Sequence, residues 1–386
     1  MINYTRHFID NKDIRSVVNV LKNKNITQGT EIGKFEKALC NYFGAKDSVV
    51  VNNATMALYL LAKALNWKKN DHVICSPMSF LSASNAVLIS GAKPEFVDID
   101  FKTGNLSIVE VKNKIKTFKK NKKKIKAIIA VDYGGLPSDW RELQKIGKKN
   151  NITLINDNCH AMGASYYNSK QYAVKHADFV IQSYHAAKNI TTGEGGSIIS
   201  NDKKLLSKLR SLRSHGVTKK SDIFPWYYQM NELSYNARIT DFQCALGISQ
   251  LKKLNRFVNK RILIANTYMK IFKNEKNLEL PFVSKNKKNA YHLFPIKINF
   301  ENLSISKKQL FNILRAKFKI NLQVHYIPIF NQPYYKKTLK IDTSKFKNTI
   351  LFYNLVLCLP MYYSLSITKV KKIAFTLKKI LKQYAK

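Results

Sequence analysis

DFVIQSYHAAKNITTGEGGSIISN, residues 178–201, sets two short apolar runs around a turn rich in glycine and threonine. Phe179-Val180-Ile181 reads as a buried strand that ends in the polar Ser183, and Ile198-Ile199 marks a second. Between them stand Lys188, Thr191, Thr192, Gly193, Gly195 and Gly196. A lysine held in such a turn is not free in solvent. Desolvation of its ammonium lowers its pKa and makes the amine a Schiff-base nucleophile. A plain surface lysine in a hairpin fits the same stretch, so the rest of the chain has to decide.

Outward from this turn the same layout recurs. Ser48–Val51, His72–Cys75, Phe96–Ile99, Ile125–Val131 and Ile152–Ile155 read as short strands, with helical stretches such as Met56–Leu65 and Trp140–Lys149 between them. This alternation predicts an α/β domain with a mainly parallel sheet. Two amphipathic helices precede it. One stands behind a cap at Asp10 or Asn11, and one carries Phe35, Leu39 and Phe43 and is stopped by Gly44.

Ligands of such sheets lie outside the carboxyl ends of the strands. Thr55, Phe80, Asp157, His160 and Ser183 each fall just after an expected strand, and so collect on one edge with Lys188. The turn Asn52-Asn53-Ala54-Thr55 opens a long apolar helix whose free N–H groups and dipole suit a phosphate, although an ordinary cap has the same look. Phosphate cradle, aromatic plate, carboxylate, hydroxyl and lysine together point to pyridoxal 5'-phosphate bound through an imine. Asp157 would keep its ring nitrogen protonated, Ala54, Thr55 and Ser183 would hold the phosphate, and Phe80 would stack on the ring. Lys188 would form the imine and then carry protons. His160 would pack against the cofactor or bond its substituents, a structural role being the other reading. Asp132-Tyr133-Gly134-Gly135 reads as a strand-end turn, and His185 has no assigned role.

Composition sets the outer limits. The 386 residues suffice for two domains, and 45% hydrophobic content supports a packed core. No apolar run has the length of a membrane span, and MINYTRHFID lacks the basic-then-apolar layout of a secretory signal, so a cytoplasmic protein is expected. Cys40, Cys75, Cys159, Cys244 and Cys358 are far apart and form no CxxC, which suits reduced thiols rather than disulfides or zinc. The net charge of +42 comes mainly from lysines spread along the chain, with one dense block at Lys119–Lys126. No patch interleaves arginines with aromatics, so no nucleic-acid partner is expected.

From about Lys252 the pattern becomes a mix of α and β. Tyr291–Ile298 alternates like a strand, Leu310, Ile313, Leu314 and Lys317 follow helical spacing, and Val370 to Tyr384 carries one apolar stripe. The expectation is a large domain over residues 1–251 and a smaller α+β domain over 252–386.

These residues resemble the DegT/DnrJ/EryC1/StrS sugar aminotransferases. The likeness rests on SYHAAKNITTGEGG (183–196), TQG (27–29), NNATMAL (52–58), SPMSF (76–80), DNCHAMG (157–163), RSHG (213–216), YNARITDFQCALG (235–247) and QVHYIPIF (323–330), and it covers nearly the whole chain. It implies the type I, aspartate-aminotransferase-like fold, pyridoxal phosphate, and a homodimer with shared active sites. In that dimer Asn236 reaches the phosphate of the cofactor in the partner subunit; by sequence alone it reads as a turn or cap residue. Some relatives carry histidine at the place of Lys188 and act as sugar dehydratases, so the lysine implies transamination.

Within the family, the start of the chain with Tyr4, the Lys24–Thr27 loop, RSHG, and QVHYIPIF followed by Tyr334-Tyr335 are similar to the branch that works in pseudaminic acid biosynthesis. That likeness implies amination of C4 of a UDP-linked 2-acetamido-2,6-dideoxy-4-keto-hexose, with L-glutamate as donor. It also implies a sugar-nucleotide site lined by Tyr4, Lys24, Asn25, Ile26, Thr27, Gln323, Val324, His325 and Tyr326. Without it, Tyr4 reads as a packed terminus and His325 as a satisfied loop histidine. The rival functions are an aminotransferase for another nucleotide-linked keto sugar, on a dTDP or GDP carrier or of other stereochemistry, and a DNA-binding regulator that keeps the fold without the chemistry. Intact Lys188 and Asp157 speak against the regulator. Three positions depart from the family pattern: Asn156 replaces an acidic residue, Tyr184 a phenylalanine and Ala237 an aromatic.

Overall fold

The computed structural model describes every residue except Ser221. The chain opens with α1 (Asn11–Asn23) and α2 (Thr30–Phe43). Asp10 caps α1, accepting from the N–H groups of Lys12 and Asp13 while Asp13 accepts from the N–H of Asp10. Gly44, at φ +66°, ends α2 in the left-handed region that glycine enters at least cost.

Next come β1 (Asp47–Val51), α3 (Ala54–Ala64), β2 (His72–Cys75), α4 (Ser82–Ile89), β3 (Lys93–Phe96), α5 (Ile108–Lys120), β4 (Ile125–Val131), α6 (Trp140–Asn150) and β5 (Thr153–Asp157). A two-residue β6 (Ser165–Tyr166), α7 (Tyr172–His176), β7 (Phe179–Ser183), β8 (Gly196–Ser200) and α8 (Lys203–Leu212) follow. Seven strands form one sheet in the order β1-β8-β7-β5-β4-β2-β3. The pairs from β7 through β3 are parallel, whereas β8 is antiparallel to both β7 and β1. β1 therefore runs with the parallel set, and the sheet is mainly parallel, as expected. Both faces are covered. Val50, Ile74, Ile128, Leu154 and Val180 lie in one core, and Val49, Val73, Ile129, Ile155 and Ile181 in the other. Burial on two sides is why these strands read as continuous apolar runs rather than alternating ones.

Several boundaries differ from expectation. β3 ends at Phe96 instead of spanning Phe96–Ile99. Beyond it the chain leaves the sheet edge, and the buried Asp98 carboxylate accepts from the N–H and hydroxyl of Thr349. Asp157 and Ser183 are the last residues of their strands rather than the first after them. Helices α4 and α5 have no counterpart in the reading above. α4 is short and Ser/Asn-rich, and the apolar spacing of α5 is diluted by lysines.

A hairpin of β9 (Val217–Lys219) and β10 (Tyr228–Met230) leads to α9 (Asp241–Leu251) and the long α10 (Leu254–Phe272). The last part holds β11 (Leu278–Glu279), β12 (Lys287–Lys288), β13 (Pro295–Ile298), α11 (Lys307–Phe318), α12 (Pro333–Thr338), α13 (Lys347–Leu355), β14 (Val356–Cys358) and α14 (Ile367–Gln383). β11, β13 and β14 make a small antiparallel sheet. Its core is Ile296, Leu310, Leu357, Ile373 and Leu377, so the expected stripe on the last helix faces inward. β13 is shorter than the expected strand from Tyr291, because Tyr291 sits at φ +47° and His292 turns into the molecule. α10 begins among the core residues of the large sheet (Leu254, Phe257, Val258) and ends among those of the small one (Ile264, Tyr268, Phe272). No helix of the described residues is long and apolar enough to cross a membrane.

Candidate active site

The parallel topology delivers the ends of β1, β2, β4, β5 and β7 to one edge, where β8 begins. Ser183, at the end of β7, pairs with Gly196, the first residue of β8. Gly196 in turn lies against the start of α3: a Cβ added there would stand 2.5 Å from the Ala54 nitrogen and 2.7 Å from the Asn53 carbonyl oxygen. Asn53 caps α3 by accepting from the Met56 N–H, which leaves the N–H groups of Ala54 and Thr55 without intrahelical acceptors. Two free N–H groups, the Ser183 hydroxyl and the positive end of a helix thus surround one spot, the chemistry a phosphate dianion requires. Gly196→Ala would push the helix start off this strand. We expect it to weaken retention of pyridoxal phosphate by about tenfold or more, roughly 1.4 kcal/mol, as measured by equilibrium dialysis.

The loop between β7 and β8 is wound tightly. The Tyr184 carbonyl accepts from Thr191 Oγ1 and the Thr192 N–H, Gly193 N–H donates to Thr191 Oγ1, and Asn189 Nδ2 donates to the Met162 carbonyl. These bonds turn the half-buried Lys188 toward Asp157 and Cys159. Burial holds the Lys188 ammonium below its ordinary pKa, with Cys159 and Asp157 opposing the shift. Burial likewise raises the Asp157 carboxyl, with a bond from Cys159 and the Lys188 charge pulling the other way. The Cys159 N–H donates to Asp157 Oδ1 at 3.3 Å. The other Asp157 oxygen has no such bond among the described residues, and is free to receive a protonated ring nitrogen. The residues present therefore fit pyridoxal phosphate at both its ends.

Around this pair lies a set of aromatic and imidazole rings. His160 Nε2 is 3.1 Å from the Tyr326 hydroxyl, and the two rings stack at 6.1 Å and 23°. Tyr326 also meets Phe80, whose ring is 60% exposed at the edge and offers a free face. Tyr4 approaches His325, hydroxyl to Nδ1 at 3.4 Å, and the Tyr133 hydroxyl donates to the His325 carbonyl. Burial lowers the pKa of His160 and His292, and that of His325 to about 4. All three rings are therefore neutral at pH 7.

The sequence-named residues thus fall into two groups. Ala54, Thr55, Phe80, Asp157, His160, Ser183, Lys188, Tyr4, His325 and Tyr326 gather at the edge. Val324 packs against the same small core as Tyr4 and Tyr326, whereas Gln323 is exposed, its side chain accepting from the Val324 N–H and its backbone pairing with Cys358. The loop Lys24, Asn25, Ile26, Thr27 is built against the start of α9. Lys24 pairs with Glu31 at 2.6 Å, and Asp241 accepts from the N–H groups of Gly29 and Glu31. Asn236 is exposed and accepts from the Arg238 N–H. No hydrogen bond joins this loop or Asn236 to the Lys188–Asp157 pair among the described residues.

His292 is a site residue that the sequence reading passed over. It is buried, with its ring centroid 4.5 Å from that of His160 and the two planes tilted by 36°. Two of the family departures have local explanations. The Tyr184 hydroxyl bonds Ser197 Oγ at 2.7 Å, and the backbone of buried Ala237 bonds both Arg213 and Asn52, tying the hairpin base to the end of β1. The buried Asn156 amide has no hydrogen-bond partner among the described residues, and nothing in the structure explains it.

Comparison with known proteins gives a consistent result. The family model described as DegT/DnrJ/EryC1/StrS aminotransferase family matches residues 7–378. A UDP-4-amino-4,6-dideoxy-N-acetyl-beta-L-altrosamine transaminase of Campylobacter jejuni is 38% identical, over 100% of this chain and 99% of its own. Among solved structures, Helicobacter pylori PseC, an aminotransferase involved in the biosynthesis of pseudoaminic acid, matches with a TM-score of 0.90 at 32% identity, over 99% of this chain and 100% of its own. The PLP form of the putative sugar aminotransferase Spr1654 from Streptococcus pneumoniae matches with a TM-score of 0.89 at 25% identity, over 99% of each chain.

Proposed function

The chain belongs to the DegT/DnrJ/EryC1/StrS aminotransferase family, and from that premise we propose that it aminates C4 of a UDP-linked 2-acetamido-2,6-dideoxy-4-keto-hexose, with pyridoxal phosphate as cofactor and L-glutamate as donor, in pseudaminic acid biosynthesis. The observation that carries the chemistry is the half-buried Lys188, its ammonium destabilised by burial, facing Asp157 at the strand edge. The substrate class is supported by full-length likeness to transaminases that bear its name.

When bound, the cofactor serves as an electron sink for the amino group's carbon. Asp157 holds a proton at the ring nitrogen. The starts of α3 and β8, with Ser183, hold the phosphate. Lys188 Nζ, its ammonium destabilised by burial, would take a proton from the reacting carbon and return it on the other side of the exchange. Tyr4, Lys24–Thr27 and Gln323–Tyr326 line the sugar nucleotide, and glutamate occupies the same edge in the other half-reaction.

We further propose a cytoplasmic homodimer in which Asn236 completes the partner's phosphate site. Its exposure, and the exposed Ile9, Ile14, Val18 and Leu21 on and beside α1, support a second copy packing against this chain. The division at 251/252 is proposed on the ground that α10 starts in one core and ends in the other. The test is a panel of purified UDP-, dTDP- and GDP-linked 4-keto sugars with glutamate, followed by mass spectrometry of the products. Amination of the UDP-linked N-acetyl sugar at least about tenfold faster than of the others, a 1.4 kcal/mol preference, is expected. Turnover confined to another carrier overturns the substrate assignment.

A further inference from the structure

We infer that Tyr326 is a hydrogen-bond donor of fixed direction, aimed at an electron-rich oxygen bound at the strand edge, and that His160 is the positioning residue that sets this direction. The starting point is a backbone amide. The Gly134 N–H donates to His160 Nδ1 at 3.3 Å. A peptide N–H can only donate, so Nδ1 must present its lone pair, and a neutral imidazole then carries its single proton on Nε2. His160 is buried, and burial keeps it neutral. Nε2–H therefore donates to the Tyr326 oxygen 3.1 Å away, and the hydroxyl hydrogen of Tyr326 has to point elsewhere.

The amide at the head of this chain cannot easily turn. Gly134 and Gly135 sit at φ +65° and +103°, conformations that glycine tolerates. The Tyr133 N–H is held by Asn105 Oδ1 at 2.8 Å, and the carbonyls of Gly134 and Gly135 accept from Leu293 and Ala290. A Cβ on Gly135 would strike the His160 carbonyl oxygen at 3.0 Å and the Tyr291 nitrogen at 2.9 Å. His292 backs the His160 ring, so the imidazole is fixed from its face as well as its edges. Tyr326 stays protonated, since burial and Asp157 both raise its phenol. Its hydroxyl has no hydrogen-bond partner other than His160 among the described residues, which leaves one donor for a ligand.

The acceptor is an oxygen with full or partial negative charge. Two sources at this edge offer one: the ring oxygen of the pyridoxal group and the keto oxygen of the sugar. This half of the inference rests on the transaminase reading above; the tautomer does not.

Neutron diffraction from deuterated crystals of the pyridoxal phosphate-loaded protein reads the tautomer directly. Deuterium on His160 Nε2, none on Nδ1, and the Tyr326 deuterium turned away from His160 are expected. Deuterium on Nδ1, or a Tyr326 hydroxyl aimed at His160, overturns the inference. Tyr326→Phe keeps the ring and should cost about tenfold or more in turnover, the scale of one hydrogen bond to a charged acceptor. A shifted visible absorbance of the loaded variant assigns the bond to the pyridoxal oxygen, and an unchanged spectrum with slower sugar turnover assigns it to the keto oxygen. No change in either overturns the donor role.

His160→Gln retains an acceptor for Gly134 and a donor for Tyr326, whereas His160→Phe retains neither. The loss in His160→Phe should therefore exceed that in His160→Gln by about tenfold, and equal losses count against the relay. A protein with the expected tautomer that fails to aminate the UDP sugar defeats only the substrate assignment. One that aminates it with the opposite tautomer defeats only this inference.

Discussion

Lys188→Ala is expected to lose transamination by at least about 10⁴-fold, the upper range for a positioned acid–base group that, as proposed, is also the covalent anchor. Borohydride treatment of the loaded wild-type protein should fix a pyridoxyl adduct at position 188, and the variant should show no adduct there. The variant should fold, because the winding of its loop runs through Tyr184, Asn189, Thr191 and Gly193 rather than through the amine. A second consequence concerns the unloaded protein. The folded pKa of Lys188 lies below the 10.5 of the unfolded chain. Between these values the unfolded state binds the additional proton, so stability rises with pH across that window. Below it, the folded protein bears the cost of a buried ammonium. Lys188→Ala should remove this increment, which Tm measured from neutral pH to pH 10 on unloaded protein will read. Retention of the adduct chemistry on another lysine would defeat the assignment.

The strand edge was legible in the sequence because the physics there is local. Short apolar runs that stop at polar residues give the ends of β1, β5 and β7, and a parallel sheet places those ends together whatever the details of packing. Lys188 was legible because glycines and threonines around a single lysine leave little else for the turn to do. What was not legible depends on distance along the chain. His292 reaches His160 across more than a hundred residues, from a segment whose alternation mimicked a strand. The Tyr133 hydroxyl meets the His325 carbonyl across 192 positions of sequence. The double glycine at 134–135 was visible as a turn, but nothing in the string says that its amide aims at an imidazole. Asn236 and the Lys24–Thr27 loop differ again. They were named by resemblance, and a single chain offers no ligand-side contact for them to make.

Asp157→Asn should separate stability from catalysis. The substitution keeps an oxygen for the Cys159 N–H and the shape of the side chain, but removes the charge that, in the proposed reaction, would hold a proton on the cofactor ring. Without that charge the electron sink is weakened, and turnover should fall on the order of 10²–10³-fold, the effect of deleting one preorganised electrostatic partner. In the unloaded protein the sign reverses. Burial raises the folded pKa of Asp157 above the unfolded 3.8. The folded state therefore binds the proton more tightly between those values, and stability falls as pH climbs through that interval. Above it the wild-type protein carries a buried carboxylate only partly offset by Lys188. Unloaded Asp157→Asn should accordingly match or exceed the wild-type Tm at pH 7, and the advantage should vanish below the unfolded carboxyl's pKa. The loaded proteins should rank the other way, because pyridoxal phosphate stabilises the wild type more than the variant. A variant that is both less stable unloaded and fully active would mean that Asp157 supports the fold rather than the ring.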